Sequence, residues 1–300
     1  MPELRISPAA PTRDLILTTA FGLPPSRSVV FFRSLAETSF AGKTVVFTAN
    51  LGPQQRRAFE LAGAEVVHHG LHLHRIFRRP LQILFWKGVR SRSDSGSFTP
   101  PWDRLQQPNI LRWSLYRRYL EQNRANFDRV LMVDSRDVFF QRNPFEHFDG
   151  SRLRVFAEEG DPTVEETSWN RDSMRRAFPP EVFARLKNKR VSCSGVVLGG
   201  LEAVRRYLDD FSSFLPELNM PDHGADQCIH IRIIHEYLKD IDFPGNREGE
   251  VCHLHHVKDL LGIPTNSSGE LLNARGEPFS IIHQYDRHHA LAERLRNRYS

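Results

Sequence analysis

The sequence predicts an α/β fold, specifically a three-layer α/β/α domain with a mixed, mainly parallel central sheet. Short apolar segments alternate with helix-length segments along the first half of the chain, as in sheets whose parallel strands are joined by crossover helices. These apolar segments are hydrophobic at nearly every position, which is typical of strands buried on both faces. With 300 residues, 40% of them hydrophobic, the chain can bury a large core. We therefore expect a single domain over residues 1–300.

Three strands and two helices are predicted in the first half. The strands cover Asp14–Phe21, Lys43–Ala49 and Ala64–His68, and the helices cover residues 26–38 and 52–62. Residues 1–12, which are rich in proline and lack the apolar centre of a signal peptide, are predicted to be disordered. Residues 87–109 are rich in Ser, Gly and Pro and are predicted to form a mobile loop.

The second half of the chain adds further helices and strands. Helices are predicted over residues 110–123, 165–186 with a break at Pro179 and Pro180, 201–215 and 226–238. Strands are predicted over residues 130–133, 154–157, 191–198 and 279–283. Residues 242–276 show neither period and are predicted to be irregular.

The strand predicted over residues 130–133 runs directly into Asp134-Ser135-Arg136-Asp137. Ligands of open α/β sheets bind at the carboxyl ends of strands, so these two carboxylates stand where such a sheet presents chemistry. At a separation of about 5 Å and an effective dielectric constant near 20, their repulsion is roughly 3 kcal/mol. A proton, an arginine or a divalent cation must offset this energy. Hard oxygen ligands suit Mg²⁺ or Mn²⁺, and an ion pair with Arg136 or a neighbouring arginine is the alternative.

Four motifs, in this order, resemble the core of GT-A fold glycosyltransferases, and in particular the glycogenin-like family 8 enzymes. They are the acidic strand end followed by Asn143-Pro144-Phe145, Ser194-Gly195 within an apolar strand, Asp226-Gln227 at a helix start, and His283 at the end of a late strand. The resemblance covers residues 14–285, nearly the whole chain. Three features depart from the family pattern: the acidic motif is Asp-x-x-Asp, Cys193 stands where the family has asparagine, and the Lys-Pro-Trp after the histidine is missing.

The resemblance implies a metal-dependent glycosyltransferase. Such an enzyme would move a sugar from a nucleoside diphosphate sugar, with a UDP-sugar favoured, to a hydroxyl of a glycan or a lipid-linked saccharide, with retention of the anomeric configuration. Asp134, Asp137 and His283 would hold Mn²⁺ or Mg²⁺, and Asp137 is the favoured direct ligand. Asp226 would bind hydroxyl groups or act as a base, and Gln227 would lie beneath the reacting carbon of the sugar. An N-cap role for Asp226 and a strand-end role for His283 are the ordinary structural alternatives.

The resemblance also implies a set of donor-binding residues. Thr18, Thr19 and Ala20 would line the part of the site that binds the base, and Asp134 would contact the ribose or the cation. Ser194 and Gly195 would leave room for the sugar. Arg117 would contact the acids or the donor, and Arg287 would contact the diphosphate. A glycine within a strand marks a close backbone approach or a bulge. Arg112 lies on the same predicted helix as Arg117, and we favour Arg117 for its spacing; a solvent-exposed position is the alternative for either arginine.

Two other functions stay open. A nucleotidyltransferase also uses strand-end acids and a cation, but it usually has a glycine-rich basic loop directly after the first strand, and residues 21–25 (FGLPP) lack this pattern. A non-catalytic protein that binds sugar nucleotides or glycans on the same scaffold is the other possibility. Measuring which product is released from a panel of nucleotide sugars separates these functions.

Charge and cysteine content limit the partners and the compartment. The net charge of +5 comes from basic residues spread along the chain, which argues against nucleic acid and suits an anionic diphosphate. Three cysteines form an odd and sparse set, which predicts a reducing compartment, the cytoplasm. No apolar stretch reaches about 18 residues, so we expect no spanning helix, and peripheral attachment at the inner face of the membrane stays open. The histidine-rich segments 68–74 and 252–256 lack zinc-site spacing and are predicted to be loops or surface. The sequence predicts no oligomeric state.

Overall fold

A computed structural model describes residues 13–70, 81, 106–219 and 223–299. Ten strands occur in this part of the chain. They are β1 (Asp14–Phe21), β2 (Lys43–Ala49), β3 (Ala64–His68), β4 (Arg129–Val133), β5 (Val138–Phe140), β6 (Leu153–Ala157), β7 (Ser192–Gly200), β8 (Ile241–Asp242), β9 (Val251–His253) and β10 (Ile281–His283).

Eight α-helices accompany these strands in the same part of the chain. They are α1 (Val29–Ala36), α2 (Pro53–Leu61), α3 (Pro108–Gln122), α4 (Ser168–Ala177), α5 (Pro180–Leu186), α6 (Leu201–Phe214), α7 (Ala225–Arg232) and α8 (His289–Tyr299). Three of them, α2, α3 and α5, begin with a proline. The fixed φ of proline suits the first helical residue, where its missing N–H costs no hydrogen bond.

The central sheet has seven strands in the order β3-β2-β1-β4-β7-β6-β8. The strands β3, β2, β1 and β4 run parallel to one another. The strand β7 is antiparallel to both of its neighbours, β4 and β6, whereas β8 is parallel to β6. The sheet is therefore mixed, and four of its six pairings are parallel.

Helices cover both faces of the central sheet. Because successive side chains of a strand point to opposite faces, Leu15 and Leu17 of β1 pack in a cluster with α3, α6 and α7. Ile16, between them, packs in a second cluster with Phe31 of α1 and Phe59 of α2. Burying each such side chain contributes roughly 1.5–3 kcal/mol. The α/β class and the mixed central sheet that the sequence predicts are confirmed.

A second sheet brings distant parts of the chain together. Its three strands lie in the order β5-β10-β9, with β10 antiparallel to β5 and parallel to β9. In this register His283 lies opposite Val138 on one side and opposite His253 on the other. Since Val138 directly follows Asp137, the register sets His283 beside the acidic turn that ends the central strand β4.

The strand predictions in the first half agree with the structure at every boundary, and the later helices and strands agree within a few residues. The helix predicted over residues 26–38 is α1 preceded by a separate 3₁₀ turn, Pro25–Arg27. The helix predicted over residues 226–238 ends at Arg232 and continues as a π-helical turn, Ile233–Tyr237.

Three strands were not predicted. The strand β5 directly follows the acidic turn, β8 has only two residues, and β9 lies within residues 242–276, which were predicted to be irregular. The predicted loop 87–109 also needs correction at its end, because Pro108 already begins α3. Its residues 87–105, and the predicted disordered segment 1–12, lie outside the described residues.

None of the described helices combines the length and the apolarity that crossing a bilayer requires. The three cysteines are all buried and free.

Candidate active site

The acidic turn after β4 lies where the two sheets meet. Asp134 directly follows the last residue of β4, and its backbone N–H donates to the carbonyl of Gly195 at 3.0 Å. The Ser135 hydroxyl donates to the carbonyl of Thr19 at 3.0 Å and so ties the turn to the end of β1. Three strands of the central sheet thus hold the turn at their common edge.

Asp134, Asp137 and His283 lie close together at this end of the strands. The Nε2 atom of His283 lies 3.8 Å from Oδ2 of Asp134 and 3.7 Å from Oδ1 of Asp137. One ligand atom from each residue lies within 4.8 Å of the others, so the three side chains could hold a metal ion. Asp137 and His283 are almost fully buried, whereas Asp134 is partly exposed.

Each carboxylate also meets an arginine, through its other oxygen. Arg112 pairs with Oδ1 of Asp134, and Nη2 of Arg136 lies 2.9 Å from Oδ2 of Asp137. The arginine alternative from the sequence is therefore realised for both acids. The oxygens that face His283 are not the ones that the arginines hold, so the arginines leave the gap between the three ligand atoms open.

Gly195 on β7 forms the floor of this gap. A Cβ atom at this position would lie 2.8 Å from Nε2 of His283, closer still to Cε1 of the same ring, and 3.0 Å from Oδ2 of Asp134. Ordinary van der Waals contacts of this kind measure 3.4–4 Å. A side chain at position 195 would thus fill the space between two of the three ligands.

Arg112, and not Arg117, is the arginine of α3 that reaches the site. Its Nη2 atom donates to Oδ2 of Asp226 at 3.1 Å, while Nη1 pairs with Asp134, and the side chain is buried. Arg117 instead pairs with Asp209 at 2.6 Å and with Glu121 at 3.2 Å. The preference for Arg117 is corrected accordingly: five residues along a helix of 3.6 residues per turn place the two arginines on different faces.

The start of α7 contributes Asp226 and Gln227. Gly224, with φ of 95°, is the residue before the helix, so Asp226 lies in the first turn and is not the N-cap. Its carboxylate accepts from Nδ2 of Asn109 at 2.8 Å as well as from Arg112. Gln227 accepts from the Ser194 N–H at 2.8 Å and donates to the Ser192 carbonyl at 2.6 Å. Both polar atoms of the Gln227 amide thus hold β7, and its predicted role beneath the sugar stays a prediction.

Burial and charge act differently on the acids. Burial favours the neutral form of Asp137, but the interactions with His283 and with the guanidinium group of Arg136 outweigh it and hold the pKa of Asp137 below its usual value. Burial raises the pKa of Asp226, and the positive charge of Arg112 opposes this only in part. The site thus contains one acid that favours its ionised form and a second that gains a proton more readily, as an acid–base group needs.

A cleft of about 380 Å³ opens above these residues. Of the predicted residues, it is lined by Thr19, Asp134, Asp137, Ser194, Gly195, Asp226, Gln227, His283 and Arg287. Thr18 and Ala20 are buried in β1 and do not line it, and neither does Arg117. For Thr18 and Ala20 this follows from the strand, in which direct neighbours of Thr19 point to the opposite face.

The sequence indicates His223 as part of the turn before Asp226, and this residue lines the cleft, whereas the lining residues Asn109 and Trp169 were not singled out from the sequence. Trp169 is 46% exposed although it is a large aromatic residue, and its ring contacts that of His223 at a centroid distance of 6.2 Å. An exposed tryptophan at the rim of a polar cleft offers a flat apolar surface to a ligand. The polar segments around Asn109 and Trp169 gave no signal in the sequence.

The chain matches no protein-family model, and no curated protein matches it. The resemblance to GT-A fold glycosyltransferases therefore depends on the sequence motifs. Two carboxylate oxygens and one imidazole nitrogen fit a divalent cation of intermediate hardness such as Mn²⁺. The gap kept open by Gly195 fits the same ion.

Proposed function

We propose that the protein is a metal-dependent glycosyltransferase, which moves a sugar from a nucleoside diphosphate sugar to a hydroxyl group of a glycan or a lipid-linked saccharide. One observation carries the proposal. Asp134, Asp137 and His283 face one another across a gap, although Asp137 and His283 are far apart in the sequence, and each acid turns one oxygen to an arginine and the other to the gap.

The cation would neutralise the negative charge that develops on the departing diphosphate. Arg136 and Arg287 line the same cleft and are partly exposed, so their guanidinium groups can donate to phosphate oxygens next to the ion site. A cation and two arginines on one side of a cleft suit a diphosphate better than a neutral ligand. The mildly basic charge of the chain agrees with an anionic donor.

Other residues that line the cleft suit a saccharide. Asp226 offers a carboxylate to hydroxyl groups, and the guanidinium group of Arg112 and the amide of Asn109 hold it in place. Trp169 provides the apolar surface that stacks on the C–H face of a sugar ring. By fixing both substrates, the cleft would set the acceptor oxygen against the anomeric carbon, and such positioning supplies much of the rate increase in bimolecular transfer.

The proposal is tested with wild-type protein, Mn²⁺ and a panel of nucleoside diphosphate sugars, with release of the nucleoside diphosphate as the readout. We expect metal-dependent release of UDP or GDP from at least one donor and incorporation of the sugar into an added saccharide. Release of pyrophosphate from a nucleoside triphosphate and a sugar 1-phosphate, assayed in parallel, would instead indicate a nucleotidyltransferase. Binding of a donor without any release would indicate a non-catalytic binding protein.

The metal assignment is tested separately by calorimetry of UDP binding in the presence of Mn²⁺. Asp137→Asn removes one ligand charge, so we expect the affinity to fall by more than about 100-fold, the upper end of the loss when an outer-shell partner is removed. Asp286→Asn is the matched control, because Asp286 also faces Arg136, at 3.8 Å, but is not one of the three ligand residues. Equal affinities of the two variants would refute the assignment.

A further inference from the structure

A second buried histidine lies directly behind His283. His253 on β9 is the register partner of His283 on β10, and the two Nδ1 atoms are 2.9 Å apart. Both rings are at most 2% exposed. His283 thus turns Nε2 to the acids and Nδ1 to His253, and Sγ of Cys193 lies 3.8 Å from the same Nδ1.

Cys193, His253 and His283 lie close enough together to hold an ion, but the two rings face each other in a way that suits a shared proton. The ring centroids are 5.1 Å apart, close to the greatest separation that a 2.9 Å distance between the nitrogens allows, so the two nitrogens point at each other. A cation between them would need about 2.0–2.1 Å to each nitrogen, and 2.9 Å leaves no room for it in line. A single N–H···N hydrogen bond fills the distance well.

This hydrogen bond decides which nitrogen of His283 carries the proton. In one arrangement Nδ1–H of His283 donates to His253, and the lone pair of Nε2 points to Asp134 and Asp137. In the other arrangement His253 donates, and the proton of His283 lies on Nε2, where a cation would have to bind. In a neutral imidazole the bond made by one nitrogen fixes the state of the other.

We propose that His253 is a positioning residue, which accepts the Nδ1 proton of His283 and thereby directs the Nε2 lone pair at the cation between the two acids. This inference rests on the metal site of the proposed function. The backbone of His253 is fixed by Asn246, which accepts from its N–H at 2.6 Å and donates to its carbonyl at 3.0 Å. Among the described residues, Nε2 of His253 has no hydrogen-bond partner, so its ring is held by the bond to His283.

The test is the affinity for Mn²⁺, measured from the electron paramagnetic resonance signal of the free ion. His253→Phe removes the acceptor, and we expect a 10- to 100-fold weaker affinity, the usual effect of losing an outer-shell partner of a metal-bound histidine. His253→Asn retains an acceptor near the position of Nδ1 and should restore most of the affinity. Cys252→Ala is the matched control, because Cys252 is the buried neighbour on the same strand and its side chain points to the opposite face. This control should destabilise the fold without weakening Mn²⁺ binding.

The outcomes separate this inference from the proposed function. Equal affinities of wild type and His253→Phe, or equal losses in the Phe and Asn variants, would overturn the role of His253 alone. Failure of wild type to bind Mn²⁺ would overturn the metal site and this role together. Independently of any variant, nitrogen NMR of ¹⁵N-histidine-labelled wild type with saturating Mg²⁺ should find protons on Nδ1 of His283 and Nε2 of His253. A proton that stays on Nε2 of His283 would also overturn the proposal.

Discussion

Gly195→Ala is the smallest change that should destroy the cation site. The added methyl group would lie 2.8 Å from Nε2 of His283, against an ordinary contact distance of at least 3.4 Å, so the ring must retreat by more than half an ångström. Metal–ligand distances tolerate only about 0.2 Å. We therefore expect the Mn²⁺ affinity to fall at least 10-fold, which corresponds to a loss of about 1.4 kcal/mol of binding free energy.

The same strand provides a matched control for the steric cost. A Cβ atom at Gly199 would lie 2.8 Å from Val204 and 3.1 Å from Leu153, so Gly199→Ala introduces similar crowding away from the cleft. Overpacking of this kind costs roughly 1–3 kcal/mol of stability in either variant. Urea unfolding measures this cost, and calorimetry of Mn²⁺ binding to the folded proteins measures the affinity. The reasoning is refuted if Gly195→Ala binds Mn²⁺ as wild type does, or if Gly199→Ala loses as much affinity.

Two further predictions concern stability. Arg112→Met leaves the carboxylates of Asp134 and Asp226 without their shared arginine, so urea unfolding should show a loss of about 3–5 kcal/mol, the usual cost of breaking a buried ion pair. The control is Arg117→Met, which should lose no more than about 1 kcal/mol because the partners of Arg117 are about half exposed. Similar losses of stability in the two variants would contradict the assignment of Arg112. Burial lowers the pKa of His230 to about 3. The unfolded state, in which this histidine has a pKa near 6.5, takes up a proton as the pH falls, whereas the folded state does not. The free energy of unfolding of wild type should therefore fall by about 2 kcal/mol between pH 7 and pH 5 from this group, and that of His230→Gln should fall correspondingly less. An equal fall in wild type and in the variant would contradict this prediction.

The central strands could be predicted from the sequence because burial alone determines them. The strands β1, β2 and β4 lie inside the sheet, and each is a nearly continuous apolar segment whose signal does not depend on its neighbours. The strands β5 and β9 have three residues each and exist through their pairing with β10, which is distant in sequence. No local pattern of three residues distinguishes such a strand from a loop.

The candidate site could be predicted in part for the same reason. Asp134 and Asp137 follow a buried strand, so their position at the sheet edge is a local property. Which arginine pairs with the acids is not a local property, because the sequence does not define which face of α3 meets the sheet. The spacing favoured Arg117, whereas Arg112 is the arginine that reaches the acids. His253 was predicted to lie in a loop or at the surface and is instead fully buried beside His283, because β9 pairs with β10. That prediction was wrong, and only the tertiary pairing supplies the missing information.

The central claim is that one divalent cation lies between Asp134, Asp137 and His283. Crystals of wild-type protein soaked in Mn²⁺ and measured at the manganese absorption edge would locate the ion directly by its anomalous signal. We expect one strong peak above Gly195, at roughly 2.0–2.3 Å from an oxygen of Asp137 and from Nε2 of His283. A peak bound elsewhere, or no peak at an Mn²⁺ concentration that saturates other manganese proteins, would contradict the account.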